Sequence, residues 1–238
     1  MLCALDVVDD SHVWVVGHDA TILHSSDGGR TWVSQFRDPD EEAPLLDVWF
    51  ANRERGLAVG AYGLFLVTTD GGGHWDRFTI TEDDPHFYCI AQGPARDLYL
   101  AGEFGTLLRS LDMGRTWYRL NSPYHGSFFG VLPLADGTVL AYGLRGNVFR
   151  SEDRGDSWER VETHTEASLL DGLQTADGTV LLVGLSGTLL VSSDGGRSFS
   201  PSNRPDRRGI AAVAELGADS LLILGEGGVT IMGDPAGS

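Results

Sequence analysis

Five aspartates carry the first hint of chemistry. Asp27, Asp70, Asp112, Asp153 and Asp194 each follow a Ser or Thr by two residues and precede a Gly by two, at intervals of 41 to 43 residues. An aromatic residue closes each box: Trp32, Trp75, Trp117, Trp158 and Phe199. Carboxylates in such number could ligate a cation or work in acid–base pairs. Their even repetition argues otherwise, because copies in successive repeats stand apart around a ring and no catalytic centre needs five. An Asp side chain accepts hydrogen bonds from the amides of its own turn, and a Gly permits that turn. The box therefore reads as a turn lock whose closing aromatic packs between neighbouring sheets.

The elements that position these boxes are repeats. Gly184–Phe199, GLSGTLLVSSDGGRSF, recurs as Gly17–Trp32, Gly60–Trp75, Gly102–Trp117 and Gly143–Trp158, and its first half returns at Gly225. A period in the low forties built of short apolar runs is the signature of propeller blades. In the second repeat, runs of β-branched and aromatic residues predict strands at Leu45–Phe50, Gly56–Val59, Leu64–Thr68 and His74–Thr79. Gly60 and Gly63 are expected to take positive φ in the turn between the second and third strands. The fold class is all-β: a six-bladed β-propeller of four-stranded antiparallel blades, forming a single domain over residues 1–238. The blades fall at about 1–36, 37–80, 81–121, 122–162, 163–203 and 204–238. The last blade is expected to lack its outer strand or to borrow one, with closure resting on packing of blade six against blade one.

A second set of carboxylates belongs to the innermost strands. Thirteen residues before the leading glycines stand Asp47, Cys89, Gly130, Asp171 and Ala212, and a shorter first turn would put Asp6 in the same setting. Asp6, Asp47 and Asp171 are expected to line a central channel, where they bind a cation or bond neighbouring backbone.

Composition narrows the function classes. With 238 residues, 42% of them hydrophobic, the chain can bury a sizeable core. A net charge of −17 excludes a generic nucleic-acid or anionic-membrane binder, which needs a basic face. Every basic side chain is Arg rather than Lys. Cys3 and Cys89 fall in non-adjacent repeats, so neither a structural disulfide nor a zinc site is expected. No apolar run is long enough to span a membrane, and no charged and apolar leader precedes the first repeat. Phosphate-loop, nucleotide and Ser-His-Asp patterns are missing, and neither metal nor cofactor is expected.

The box is similar to the Asp-box, or bacterial neuraminidase repeat. The longer phrase GxxGxxxxSxDGGxTW, preceded by LxDVxFxxxxxGxAVG as at Leu45–Gly60, resembles the photosystem II stability/assembly factor family over essentially the whole chain. That resemblance implies a non-enzymatic propeller that binds membrane-protein partners during assembly. It also implies a periplasmic or other extracytoplasmic, membrane-peripheral location. The photosynthetic factor is usually seven-bladed, so seven blades, one completed by another segment, is the alternative architecture. The alternative function is a glycan-directed one, glycosidase or lectin, since sialidases share the box. Sialidase chemistry needs an arginine triad, a Tyr–Glu pair and an Arg-Ile-Pro segment near the start, and that segment is absent here.

Function on a repeat scaffold sits where repeats differ, on loops held by a rigid frame. The loops joining blades are expected to share a face with the GxxG turns. They are acidic at Arg37–Glu42, acidic then aromatic at Glu82–Tyr88, aromatic at Tyr124–Phe129 and basic at Arg204–Arg208, while Tyr62 and Phe104 occupy nearby turns. Aromatics beside Arg are typical anchors of protein interfaces. Phe87, Tyr88, Tyr124, His125, Arg204, Arg207 and Arg208 are therefore the expected contacts for a protein partner, one belonging to a membrane complex. Phe87, Phe128 and Phe129 also stand where inner strands begin, and burial there would remove them from any contact.

Overall fold

A computed structural model describes residues 1–39, 42–217 and 220–233. Asp40 and Glu41 of the first acidic loop, and the tail 234–238, lie outside the described residues. The chain is all-β and forms a six-bladed β-propeller. Among the described residues, five sheets have four antiparallel strands and the last has three, each laid down in sequence order. The blades fall into two compact units. The first, Met1–Ala91 with Asp97–Arg119, holds blades one to three, whose inner strands are Leu2–Val7, Leu45–Phe50 and Phe87–Gln92. The second, Gln92–Arg96 with the chain from Leu120 on, holds blades four to six, whose inner strands are Phe128–Pro133, Leu169–Gln174 and Ile210–Glu215. Among the described residues no helix is long and apolar enough to cross a membrane.

The strands follow the apolar runs, with one systematic difference. In blade two they are Leu45–Phe50, Gly56–Gly60, Phe65–Thr68 and only Asp76–Arg77 at the outer edge. The box occupies residues 69–75 and Trp75 turns inward, which leaves just Leu66 and Val67 paired with Arg77 and Asp76.

The second strand of a blade feeds two interfaces at once. Gly56–Gly60, Leu98–Gly102, Val139–Gly143 and Val180–Gly184 are buried along their whole length. That is why they read as unbroken apolar runs rather than alternating ones. In the first unit Trp14 stacks on Phe50 with ring centres 3.8 Å apart, and Trp75 meets Phe50 edge-on at 5.9 Å. At the next junction Trp117 meets Phe65 edge-on, also at 5.9 Å, among Leu57, Val59 and Leu98. In the second unit Phe199 joins Leu140, Tyr142 and Leu182. Trp117 and Phe199 thus pack against the preceding blade, while Trp75 reaches that junction through Phe50 of its own blade; an edge-on ring pair adds about 0.5–1.5 kcal/mol beyond area burial. Of the remaining two, Trp158 is half-buried and Trp32 is exposed.

The glycines of the GxxG turn divide the work differently from expectation. Gly63 has a φ of 69°, as anticipated, but Gly60 does not enter the left-handed region. Its requirement is space: a β-bulge between Leu45 and Asp47 brings the start of the inner strand across it, and Ala61 N donates to Pro44 O at 3.0 Å.

Candidate partner-binding face

The box carboxylates are consumed within their own turns. Asp112 Oδ1 accepts from Ser110 Oγ (2.8 Å), Arg115 N (3.0 Å) and Thr116 N (2.8 Å), and Oδ2 accepts from Thr116 Oγ1 (2.7 Å). Asp27 and Asp194 repeat the same set with Thr31 and Ser198. Asp153 is held by Ser157, and His74 Nδ1 takes the hydroxyl's place at Asp70. Sequence reasoning left the Ser/Thr of the box without a role. Its hydroxyl is buried in all five copies and accepts the amide of the glycine two residues after the Asp, as Ser110 does from Gly114 N at 2.8 Å. The lock is therefore a two-residue device, Asp outside and hydroxyl inside.

These bonds have a pH signature. The hydroxyl of Thr31, Thr116 or Ser157, or the His74 ring, holds the carboxyls of Asp27, Asp112, Asp153 and Asp70 down at about 2, against an ordinary 3.8. At Asp194 burial pushes upward, and bonds from Ser198 and Ser192 outweigh it to reach about 2. A depressed folded-state value means that the stability these groups contribute is complete above 3.8 and is lost as pH falls through about 2. Asp6 and Asp171 act with opposite sign, because burial raises them despite bonds from neighbouring amides. With the five box carboxylates lowered, and Asp9, Asp136, Glu152, Asp177 and Asp206 lowered beside them, against the raised Asp6 and Asp171, thermal melts are expected to drop steeply between pH 4 and pH 2. An Asp112→Asn/Asp194→Asn double variant should give a shallower acid slope, and an unchanged slope would reject this account.

The inner-strand aspartates bond backbone in the next blade. Asp47 Oδ2 accepts from Ile90 N at 2.8 Å and Oδ1 from its own neighbour Val48 N at 2.9 Å. Asp171 does the same with Val213 N (2.9 Å) and Gly172 N (2.8 Å). Asp6 bonds Phe50 N at 2.6 Å, two residues beyond the register that Asp47 would suggest. The reason lies in strand pairing: Leu2 faces Gly17 as Leu45 faces Gly60, so Ala4 is the counterpart of Asp47 and Asp6 that of Trp49. The first turn is not shorter. Among the described residues, no group of three or more His, Cys, Asp or Glu could hold a metal ion.

In both units the inter-blade loops lie against the GxxG turns. Gly63 N donates to Pro85 O and Glu103 N to His86 O in the first unit, each at 2.9 Å. Arg204 N donates to Gly187 O at 2.9 Å in the second. The third residue of these turns is left-handed whatever its type: Asp19, Tyr62, Phe104, Arg145 and Ser186 have φ of 54–58°. A bulky aromatic in that region is an outlier, costing about 1 kcal/mol or more. Tyr62 and Phe104 bear it while 59% and 70% exposed.

The structure separates the expected contact residues. Phe87 is fully buried among Val59, Phe65 and Leu98, because it opens an inner strand whose first residue faces the core; it cannot touch a partner. In the first unit half-buried Tyr88 lies edge-on to His86 (6.2 Å), which lies edge-on to Tyr62 (4.7 Å). Glu103, next to Phe104, accepts His86 N at 3.1 Å. In the second unit half-buried Tyr124 stacks on Phe149 at 5.9 Å, and His125 is exposed. Arg204 is tied to Asp206 through two bonds of 3.0 and 2.9 Å, leaving Arg207 and Arg208 exposed on that loop. His86 and Glu103 were missed as site residues. The acidic-aromatic loop sequence contains His86, but its contacts with Glu103 in the turn of its own blade and with Tyr62 in the turn of the blade before are not written there.

Comparison with known proteins decides the family. A family model described as photosynthesis system II assembly factor YCF48 matches residues 38–168, more than half of the chain. The chain belongs to this YCF48 family. A curated relative, the photosystem II assembly lipoprotein Ycf48 of Synechococcus sp. (strain CC9902), is 35% identical over 118 residues, which is 48% of this chain. The match takes in 35% of that relative, so the chain spans about a third of its length. A solved structure described as YCF48 bound to D1 peptide superposes with a TM-score of 0.71 at 22% identity, over 99% of this chain and 81% of that one. A streptogramin B lyase structure superposes with 0.80 at 15% identity, over 97% and 81%. At such identities these likenesses establish the propeller fold, which serves a YCF48 protein and a lyase alike.

Proposed function

We propose that this chain is a non-catalytic propeller that holds a segment of a protein partner on its turn-and-loop face, as an assembly or accessory factor for a membrane protein complex. The observation that carries the reading is the exposure of Tyr62 and Phe104 in left-handed backbone, an arrangement that costs stability and gains nothing from burial. Membership of the YCF48 family supports it, as does the peptide held by the solved YCF48 structure. The commitment of all five box carboxylates to their own turns weighs against the glycosidase alternative.

The test exploits the backbone. Asn tolerates left-handed φ better than an aromatic does, so Tyr62→Asn/Phe104→Asn should leave thermal stability unchanged or slightly higher. Capture of a partner from detergent-solubilised membranes of the source organism should fall at least tenfold, the range of interface hot spots. Arg207→Gln/Arg208→Gln tests the basic loop of the second unit in the same assay. Retained capture by both double variants would overturn the proposal.

A further inference from the structure

Outside that face, the outer edge of blade six stands apart from the other five edges. In blades one to five a fourth strand covers the third, and that fourth strand is a poor template for further pairing. Asp76–Arg77, Tyr118–Arg119, Glu159–Val161 and Ser200–Pro201 are two or three residues long and carry a charge or a proline. Val33–Phe36 is longer and uncharged, but its pairing is irregular, with a register shift between Ile22 and Leu23. Short length, charge, proline and bulges are the devices that keep a sheet edge from adding strands.

Gly228–Gly233 has none of them. It runs for six residues, GVTIMG, without charge or proline, and pairs with Ser220–Gly225 in unbroken register. Among the described residues no strand pairs with its other edge. Val229 and Ile231 share one face of the strand and are 67% and 63% exposed. Strand pairing puts Thr230 and Ile231 where Leu190 and Val191 stand in blade five, and those two hold the fourth strand through Pro201 and Ser200. The edge therefore fits an uncharged antiparallel strand with aliphatic residues on the side of Val229 and Ile231. Gly228–Gly233 is itself such a strand.

We propose that blade six is completed by Gly228–Gly233 of a second copy of this chain, paired antiparallel about a two-fold axis. An antiparallel ladder between identical strands is self-complementary, so one edge serves both copies. With Thr230 on the axis, Val229 of each copy lies across from Ile231 of the other, and this aliphatic pair is made twice. Charge points the same way. Each copy carries −17, so contact between copies costs least along an edge that bears none of it. These residues lie outside the turn-and-loop face, so the dimer holds or fails independently of the proposed partner binding.

Sedimentation velocity of the full chain over a rising concentration series tests this. One strand pair is at the low end of interface sizes, so a dimer is expected from roughly 10–100 µM upward. Salt should strengthen it, because screening relieves repulsion between acidic copies and the edge has no ion pair to lose. Backbone amides within Gly228–Gly233 should gain exchange protection as the dimer forms. Ile231→Lys should weaken it about tenfold, since the axis repeats the substitution and a charged edge resists pairing. If that variant melts below the parent, Val229→Lys supplies a second reading of the same weakening. Val33→Lys, at an exposed aliphatic residue on the outer strand of blade one, should dimerise as the parent does. Four results would overturn the proposal: a monomer throughout, a dimer that salt weakens, a dimer without added protection in Gly228–Gly233, or one undiminished by both blade-six variants.

Discussion

Gly60→Ala is expected to lower stability by about 3–4 kcal/mol, the upper range for overpacking a closed site. The added Cβ would lie 2.2 Å from Pro44 O, 2.9 Å from Leu45 Cα and 3.1 Å from Pro44 C. All three atoms are backbone, so no rotamer change can relieve the contact. Relief requires the inner strand to move away, which breaks the Ala61 N to Pro44 O bond and the pairing of Leu45 with Gly60. The same approach recurs at every leading glycine. A Cβ at Gly17, Gly102, Gly143, Gly184 or Gly225 would lie 2.1–2.5 Å from the carbonyl oxygen that precedes its own inner strand. Urea unfolding of Gly60→Ala beside Gly233→Ala makes the measurement, since a methyl added at Gly233 would meet nothing within 4 Å and the residue has no positive φ. The control should stay within about 0.5 kcal/mol of the parent. A loss below about 1 kcal/mol at Gly60 would show that the strand has slack.

Sequence made the repeats legible because each blade must reproduce the same local chemistry. A bulge needs the leading glycine, a box needs Ser or Thr, Asp and Gly, and a junction needs the closing aromatic. Residues doing the same job at 41 to 43-residue intervals identify themselves. What sequence concealed was the partner across space. Gly60 has an ordinary reason to be Gly in a turn, and nothing local reveals the Pro44 carbonyl above it. Asp6 shares its Leu-Asp-Val setting with Asp47, yet strand pairing decides position, and pairing puts Ala4 there instead. Phe87 and Tyr88 are neighbours in one aromatic loop, but adjacent strand residues point to opposite sides, so one is core and the other lies beside His86. At the candidate face, residue types were readable and their grouping was not, because Tyr62 comes from the turn of blade two while His86 and Glu103 stand 17 residues apart in blade three.

The inner-strand aspartates support a prediction that separates local from global stability. Asp171→Ala is expected to cost about 2 kcal/mol, since it strands two amides, Val213 N and Gly172 N, that the carboxylate now accepts. Removing the carboxylate also removes its burial penalty, visible in its raised pKa, so the net effect is smaller than two charged hydrogen bonds would suggest. Asp171→Asn can accept only one of the two amides and should fall between parent and alanine. Location sharpens the expectation. Asp171 ties blade five to the inner strand of blade six, the blade with three strands among the described residues and with Ala212 at the corresponding position. A sheet held by fewer partners opens first when one is removed. Hydrogen exchange should accelerate across Ile210–Glu215 by more than the global loss accounts for, while Ile90, held by Asp47 in the first unit, keeps its protection relative to its own surroundings. Uniform acceleration across both units would mean that the Asp171 bond stabilises the whole chain cooperatively. Unchanged exchange at Val213 would mean that the bond contributes nothing to holding blade six.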